Sequence, residues 1–456
     1  MDQKTVPVGN RMEMFVDDYL IDCKKRSFLR LNPPLRREIV LDMDRPWEGK
    51  GSGIYSVVFQ DGDVYKMYYR ATFPENENDL TEGQGCAYAE SRDGIRWEKP
   101  KLGIVRYKGQ DTNMVFTGPL AHNFSPFLDK NPLCKKDEKY KAVAGNYKTG
   151  LIGFCSEDGL RWRKIKEEPL FTKGAFDSHN TVFYDTNKNR YVCYSRYFDS
   201  GNQKDGPFKG VRAIQSNESS DFLNWSEPIP NSYNEDVPVE HLYTNAAVLC
   251  PGAEHIYLSF PMRFVPHRHK VKDHSKPGVS DNVIFSGRDG KHWFRPFLES
   301  WLKPGLDQKN WTQRSLIVAQ GILKTGDEFS LFVNEHYYHD TARIRRVTVP
   351  LFRLASVYAD RFGGTFLTKP FVLEGSRLVL NYATSAPGLV KVGLQDEEKR
   401  FFEGFSCSDC DEIYGDELEK TVTWNGSEDI GKLKGKVVRL FFELADADVY
   451  AFQIRP

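Results

Sequence analysis

The first 350 residues alternate apolar and polar positions in short runs that are separated by turns. One such unit has an apolar run at residues 53–59, an Asp-Gly-Asp turn at residues 61–63 and an aromatic-rich run at residues 64–70. A period of two is that of a β-strand with one buried face, and Asp-Gly turns join antiparallel neighbours. The pattern therefore predicts antiparallel meanders of about four strands each.

Four near-copies of one motif divide this pattern into repeats. They read Ser-Arg-Asp-Gly-Ile-Arg-Trp from residue 91, Ser-Glu-Asp-Gly-Leu-Arg-Trp from residue 156, Ser-Ser-Asp-Phe-Leu-Asn-Trp from residue 219 and Ser-Gly-Arg-Asp-Gly-Lys-His-Trp from residue 286. Their aspartates, Asp93, Asp158, Asp221 and Asp289, follow one another at steps of 65, 63 and 68 residues. A nearly fixed period with one meander in each repeat is typical of a β-propeller.

A fifth unit, without the motif, occupies residues 316–349. We therefore predict an all-β protein with a five-bladed β-propeller at residues 1–354, in which a strand at residues 11–21 completes the fifth blade. Six blades are the alternative, if residues 11–44 form a sheet of their own. After residue 354 the period stops, and further short strands predict a C-terminal β-sandwich at residues 355–456.

The repeated motif resembles the Asp box of sialidases and related propellers. That resemblance implies that the aspartate caps a tight turn, the glycine takes a left-handed conformation and the tryptophan packs between blades, away from the ligand. The architecture resembles the invertase and levanase type of glycoside hydrolase, with residues 359–365 similar to the junction between its domains. The Asn-Asp-Pro-Asn-Gly, Arg-Asp-Pro and Glu-Cys signatures of that family are absent.

The charge balance argues against polyanionic partners. Sixty-three basic and sixty-three acidic residues give a net charge of zero, so we expect no binding to nucleic acid or membranes. The chain starts without an apolar signal core, which leaves a cytoplasmic protein and an exported one whose signal was removed as alternatives. Of the eight cysteines, Cys407 and Cys410 form a lone C-x-x-C without a second pair, so we predict neither metal nor cofactor.

Arginines recur where the second strand of a repeat ends, which in a propeller is the ligand face. These positions hold Arg70, Arg196 and Arg263, and Arg314 precedes the inner strand of the fifth repeat. Guanidinium groups that meet in one pocket bind carboxylate, sulfate or phosphate through paired hydrogen bonds. The cluster resembles the arginine triad of sialidases, and the alternative is that each arginine pairs with a neighbouring carboxylate.

Acidic and polar residues precede the same strands. The candidate acids, bases or nucleophiles are Asp177, Glu240, Glu48 and Glu335, of which the first two are preferred. By resemblance to sialidases, Tyr243 with Glu240, or Tyr337 with Glu335, would form a nucleophile pair. The remaining candidate substrate ligands are His179, His241, His336 and Trp47.

These residues together predict a glycoside hydrolase that removes a terminal sugar carrying an acidic group, because the pocket of a propeller is closed at its base. The substrate would be an oligosaccharide or other glycoside. Two alternatives stay open: a five-bladed glycoside phosphorylase that holds inorganic phosphate, and a carbohydrate-binding propeller without catalysis. The sequence does not indicate the oligomeric state.

Overall fold

The computed structural model describes residues 5–74, 82–201 and 208–456. The chain divides into two compact units, one formed by residues 34–348 and the other by residues 1–33 together with residues 349–456. Almost all regular structure is β, as predicted. The short exceptions are 3-10 helices at Pro119–Asn123, Lys136–Glu138, Gln308–Asn310 and Gly431–Leu433.

The unit of residues 34–348 is a β-propeller. Its described residues form five antiparallel sheets that follow one another along the chain. Sheet 1 contains Val57–Asp61, Val64–Pro74, Glu82–Ser91 and Met114–Thr117. Sheet 2 contains Ser125–Leu128, Tyr140–Asn146, Gly150–Ser156 and Arg163–Lys164. Sheet 3 contains Thr181–Asp185, Arg190–Phe198, Arg212–Ser219 and Ile229–Pro230. Sheet 4 contains Val248–Cys250, Ala253–Ser259, Phe285–Gly287 and His292–Phe294, with Ser232–Tyr233 added in parallel; sheet 5 contains Leu323–Thr325, Glu328–Glu335, Arg343–Pro350 and Leu35–Asp42.

Two smaller sheets lie outside these five. His241–Leu242, Met262–Val265 and Val279–Asn282 form a three-stranded sheet, and Arg106–Tyr107 pairs with Gln110–Asp111. In the chain, Met262–Val265 and Val279–Asn282 lie between Ala253–Ser259 and Phe285–Gly287 of sheet 4, whereas His241–Leu242 precedes the first strand of that sheet, Val248–Cys250.

The ring is closed by a strand that the sequence reading did not select. Leu35–Asp42 pairs with Arg343–Pro350 as the outer strand of sheet 5, and Val58 N donates to Gln320 O (2.8 Å) between sheets 1 and 5. The outer strand is mostly exposed, so it lacks the apolar alternation that marks a strand in sequence.

The prediction that residues 11–21 complete the fifth blade is wrong, and so is a separate sheet at residues 11–44. Met12–Met14 pairs with Val437–Arg455 in the other unit, where Phe15 packs edge-on against Phe366 at 5.2 Å. The apolar character of this segment therefore serves the C-terminal core. The propeller accordingly ends near residue 348 rather than 354 and does not include the first 33 residues.

The repeated motif forms the same turn in each copy. Oδ1 of each motif aspartate accepts hydrogen bonds from the backbone N–H groups two and three residues later, at 2.8–2.9 Å. Gly94 has φ of 71°, and a Cβ there would lie 2.9 Å from the Thr325 methyl. In the third copy Phe222 takes the same left-handed conformation, at 67°.

The motif tryptophans join each sheet to the one before it. Trp162 of sheet 2 packs edge-on against Tyr68 of sheet 1, and Trp293 of sheet 4 packs edge-on against Tyr194 of sheet 3. The motif aspartates are therefore structural residues of a turn, and the chemistry has to be sought elsewhere.

The other unit is built on two strands of 19 residues, Arg377–Gln395 and Val437–Arg455, which pair along most of their length. The remaining strands are Met12–Met14, Ile21–Lys25, Phe28–Leu31, Ala355–Ala359, Gly364–Thr368, Phe371–Val372 and Asp416–Thr421. The predicted sandwich is in fact one strongly curled, hydrogen-bonded sheet around a single apolar core, in which the rings of Phe366 and Phe442 stack at 4.3 Å.

Candidate functional site

The segments that precede the inner strands of the five sheets meet in one place. The ring of Tyr55, ahead of sheet 1, lies 5.7 Å from the His122 ring ahead of sheet 2 and 5.9 Å from the His179 ring ahead of sheet 3. Ser178 Oγ donates to the Tyr243 carbonyl (2.9 Å), which brings the segment ahead of sheet 4 to the same point. Loops supported by rigid strands are where propellers and other β-folds place functional groups.

The backbone is strained at this junction. Tyr55, Ala246 and Arg314 all have left-handed φ values, of 54°, 44° and 57°. Non-glycine residues adopt this conformation at a cost of about 1 kcal/mol or more, and such residues concentrate at functional sites. The strained residues stand just before the inner strands of sheets 1, 4 and 5.

Three of the four predicted arginines converge here. Burial, followed by the positive charges of Arg70, Arg314 and Arg196, lowers the pKa of His122 to about 3. All three guanidinium groups therefore act on one imidazole from sheets 1, 3 and 5. We call the space around His122, Tyr55 and these arginines the arginine pocket.

Two of these arginines have no carboxylate partner in the described part of the chain. Arg70 donates from Nε to Gln84 Oε1 (2.9 Å), and its buried Nη1 makes no hydrogen bond. Arg314 lies over the Tyr337 ring, with its Cζ 4.7 Å from the centroid. Largely buried positive charges without counter-charges are costly, and an anionic ligand would compensate them.

Arg212 is a fourth arginine of the pocket, which the sequence reading missed. Its Cζ lies 5.5 Å from the Tyr243 ring and 5.1 Å from both the Phe198 and Phe264 rings, and burial followed by Arg196 lowers its pKa. Arg212 is paired with Phe198 at the start of the third strand of sheet 3. The signal was available, because third strands begin at the face where second strands end.

Tyr243 has the electrostatic environment of an activated phenol. Burial alone would raise its pKa, but the positive charges of Arg314 and Arg196 bring the pKa below the ordinary value. The pKa of Tyr55 is raised by burial and by Tyr243. The two phenols therefore differ, and Tyr243 is the one that ionises more easily.

Asp177 supplies a carboxylate to the pocket. It forms an ion pair with Arg196, and its charge acts on Tyr243 as well. The Arg196 side chain is 4% exposed and that of Asp177 is 39% exposed, so Asp177 is the partner that remains accessible to solvent.

His179 lies in the wall of the pocket. It is fully buried, which lowers its pKa to about 3, and its Nε2 is 3.1 Å from Ser125 Oγ. The imidazole is therefore neutral at ordinary pH and orients the segment ahead of sheet 2. Its Nδ1 is buried and has no hydrogen-bond partner.

The structure does not place Glu48 or Trp47 in the arginine pocket. Glu48 is buried and accepts hydrogen bonds from Tyr69 Oη and Lys99 Nζ, both at 2.6 Å. The Trp47 indole donates to Asn113 Oδ1 at 2.7 Å. Both residues belong to a buried polar network beside the core of sheet 1.

Glu335 and His336 are also occupied by structural contacts. Glu335 is buried and accepts from Arg343 Nε and Arg345 Nε, both at 2.9 Å. His336 Nε2 lies 2.7 Å from Asp307 Oδ2. Tyr337 contributes to the pocket through its ring under Arg314, but Glu335 is not its partner in a nucleophile pair.

Glu240 and Arg263 form a separate cluster on the three-stranded sheet. Arg263 Nη1 donates to Glu240 Oε1 (3.2 Å), and Arg263 Nη2 donates to Asp281 Oδ2 (2.6 Å). Glu240 is thus not the partner of Tyr243, contrary to the predicted pair. His241 lies between the two clusters, where its Nδ1 accepts from Arg212 N (3.2 Å).

Comparisons with known proteins give the following similarities. No family model matches the chain. Two curated relatives, the uncharacterized proteins MT1551 and Rv1502 of Mycobacterium tuberculosis, are each 26% identical over 146 residues, which is 31% of this chain and 45% of the relative. The chain thus spans less than half the length of the curated relatives it matches.

Several of the similar solved structures are named as glycoside hydrolases. One named "Glycoside hydrolase" is 12% identical with a TM-score of 0.48, covering 70% of this chain and 92% of its own. A glycoside hydrolase family 43 arabinoxylan arabinofuranohydrolase from Bacillus subtilis is 10% identical with a TM-score of 0.43, covering 90% and 96%. At these identities the activity of this chain has to be inferred from its own residues.

Two further observations bear on partners. None of the helices in the described residues is long and apolar enough to cross a membrane. Those residues also contain no group of three or more histidine, cysteine or acidic side chains arranged to hold a metal ion. Cys407 and Cys410 are both buried as free thiols.

Proposed function

We propose that this protein is an exo-acting glycoside hydrolase whose substrate ends in a sugar that carries an acidic group. The observation that carries the proposal is the convergence of Arg70, Arg196 and Arg314, two of which lack a carboxylate partner among the described residues. A carboxylate, sulfate or phosphate on the sugar would supply the missing negative charge. Neutral sugars would leave the arginines uncompensated.

In the proposed reaction Tyr243 is the nucleophile and Asp177 is the acid and base. Tyr243 first passes its phenolic proton to Asp177. The Tyr243 phenolate then attacks the anomeric carbon while the bond to the leaving oxygen breaks, and Asp177 gives that oxygen the proton. In the second step Asp177 takes a proton from water, which attacks the anomeric carbon and releases Tyr243. Each step conserves atoms, and the product retains its anomeric configuration.

The substrate itself would prepare Asp177 for this role. A substrate acid that binds Arg196 replaces Asp177 in the ion pair and frees its carboxyl. The lowered pKa of Tyr243 supports the nucleophile role, because Arg314 and Arg196 stabilise the departing phenolate.

An aryl glycoside screen tests the proposal. Glucuronides, galacturonides and N-acetylneuraminides are compared with neutral glycosides, each with and without inorganic phosphate. We expect phosphate-independent turnover of an acidic glycoside that Tyr243→Phe and Asp177→Asn each reduce at least 100-fold. Turnover that depends on phosphate would instead favour the phosphorylase, and binding without turnover would favour a binding protein.

A further inference from the structure

A cavity of about 580 Å³ opens beside the three-stranded sheet. Its walls are contributed by Glu240, Arg263, Asp281, Arg268, Lys303 and Trp311, among others, and we call it the Trp311 cavity. The volume lies within the range of about 300–1,000 Å³ that is usual for small-molecule sites. Nothing in the proposed reaction above uses these residues.

The floor of the Trp311 cavity is a rigid polar network. Arg263 holds Asp281 through two hydrogen bonds, from Nε to Oδ1 (2.9 Å) and from Nη2 to Oδ2 (2.6 Å). Arg295, which is 2% exposed, donates to Glu240 Oε2 at 2.5 Å. Each carboxylate oxygen accepts about two hydrogen bonds, so Glu240 and Asp281 can still accept from the hydroxyls of a sugar.

Trp311 provides an aromatic wall. It directly follows the 3-10 helix Gln308–Asn310, and its Nε1 donates to the Gly305 carbonyl at 2.9 Å, which fixes the plane of the indole. A rigid aromatic face beside polar groups offers apolar contact to one side of a ring-shaped ligand while the edge stays hydrated. A sugar ring has that character.

The rim of the cavity is positively charged. The two arginines and two carboxylates of the floor balance one another, whereas Arg268 and Lys303 are exposed and form no ion pair within the described residues. This excess of positive charge at the rim favours a ligand with a negative group.

The Trp311 cavity and the arginine pocket share one strand pair. Tyr243 N donates to the carbonyl of Met262, the neighbour of Arg263, at 2.8 Å. Glu240 stands three residues before Tyr243, which corresponds to about 10 Å along an extended chain. Two linked sugar units reach over such a distance.

We propose that the Trp311 cavity binds a second sugar unit of the substrate, also bearing an acidic group, on the leaving-group side of the scissile bond. This proposal rests on the proposed function, since it takes the arginine pocket to hold the first unit. The protein would then act on acidic oligosaccharides, and chain length would contribute to its affinity.

Titration calorimetry tests the proposal without turnover. The probes are galacturonate, digalacturonate and tetragalacturonate, with N-acetylneuraminate and its α2,8-linked dimer and tetramer as a second series, and the protein is the Tyr243→Phe variant. We expect an acidic dimer to bind at least tenfold more tightly than its monomer. Adding Trp311→Ala should remove that gain, and a combined Arg268→Ala and Lys303→Ala variant should reduce it in a salt-dependent way.

The matched control is Leu306→Ala, which truncates a 97% exposed side chain close to Trp311 in sequence. It should keep the gain. Equal affinity for monomer and dimer would overturn the second site while leaving the arginine pocket intact. Failure of every acidic probe to bind would count against both proposals.

Discussion

Replacing Arg314 by methionine tests whether this arginine serves ligand binding or the stability of the fold. Arg314 lies over Tyr337 at 4.7 Å and near Arg196 and Arg212, and no described carboxylate pairs with it. The variant loses a cation–π contact worth about 0.5–2 kcal/mol. It also no longer has to bury the Arg314 charge or hold it near two other arginines, which offsets that loss. We therefore expect its free energy of unfolding to stay within about 1 kcal/mol of the wild type.

The effect on ligand binding should be much larger. A guanidinium contributes two charge-assisted hydrogen bonds to a bound acid, each worth about 1.5–3 kcal/mol. The loss of about 3 kcal/mol corresponds to about a 100-fold decrease in kcat/KM, since 1.4 kcal/mol is a factor of ten. Steady-state kinetics on the acidic glycoside and urea unfolding measure the two quantities.

Arg346 supplies the matched control. It is also buried, but it pairs with Glu38 through two hydrogen bonds (2.8 and 3.1 Å) and donates to Ser330 Oγ (2.9 Å). Arg346→Met should cost about 2 kcal/mol of stability and leave kcat/KM within about twofold. The reasoning is refuted if Arg314→Met is destabilised like Arg346→Met and keeps its affinity for the acidic sugar.

The remaining predictions concern the nucleophile, a buried histidine and a rejected site residue. A 2-fluoro analogue of the acidic sugar should label Tyr243, as seen by peptide mass spectrometry. Labelling at any other residue would exclude this nucleophile. Because the pKa of His179 falls from 6.5 to about 3 on folding, the unfolded chain binds more protons below pH 6.5. Unfolding free energy should therefore drop by about 2 kcal/mol between pH 6.5 and 5 through this group, and His179→Gln should flatten that part of the profile relative to the wild type. Glu48→Gln should keep kcat/KM within about twofold. Lys99→Met should lower the free energy of unfolding by about 3–5 kcal/mol, because it leaves the buried Glu48 carboxylate without its ion-pair partner. A loss of turnover in Glu48→Gln would return Glu48 to the catalytic site.

The sequence revealed the repeat because each motif contributes a local turn with its own hydrogen bonds. Asp158 and Gly159 determine that turn from within seven residues, so the motif is visible without any tertiary information. The closing strand was not visible, since Leu35–Asp42 is paired by distant residues and bears charges on both faces. This segment becomes a strand because it closes the propeller ring, and the local pattern of apolar and polar residues carries no information about that pairing.

The same distinction applies to the site. Arg70, Arg196 and Arg314 were found because strand ends of equivalent repeats point to one face. The sequence does not show whether the Glu48 side chain faces the pocket or pairs with Lys99, so the prediction that places it in the pocket is wrong. Arg263 occupies the equivalent position in the fourth repeat, but the inserted three-stranded sheet moves it to the Trp311 cavity.

The most direct test of the central claim compares matched substrate pairs that differ only in the acidic group. The pairs are aryl glucuronide with aryl glucoside and aryl galacturonide with aryl galactoside, together with the N-acetylneuraminide and its carboxyl-reduced analogue. If the arginine pocket recognises an acid, kcat/KM for the acidic member of the preferred pair should exceed that for its neutral partner by about 100-fold or more. Equal or faster turnover of the neutral member would contradict the account.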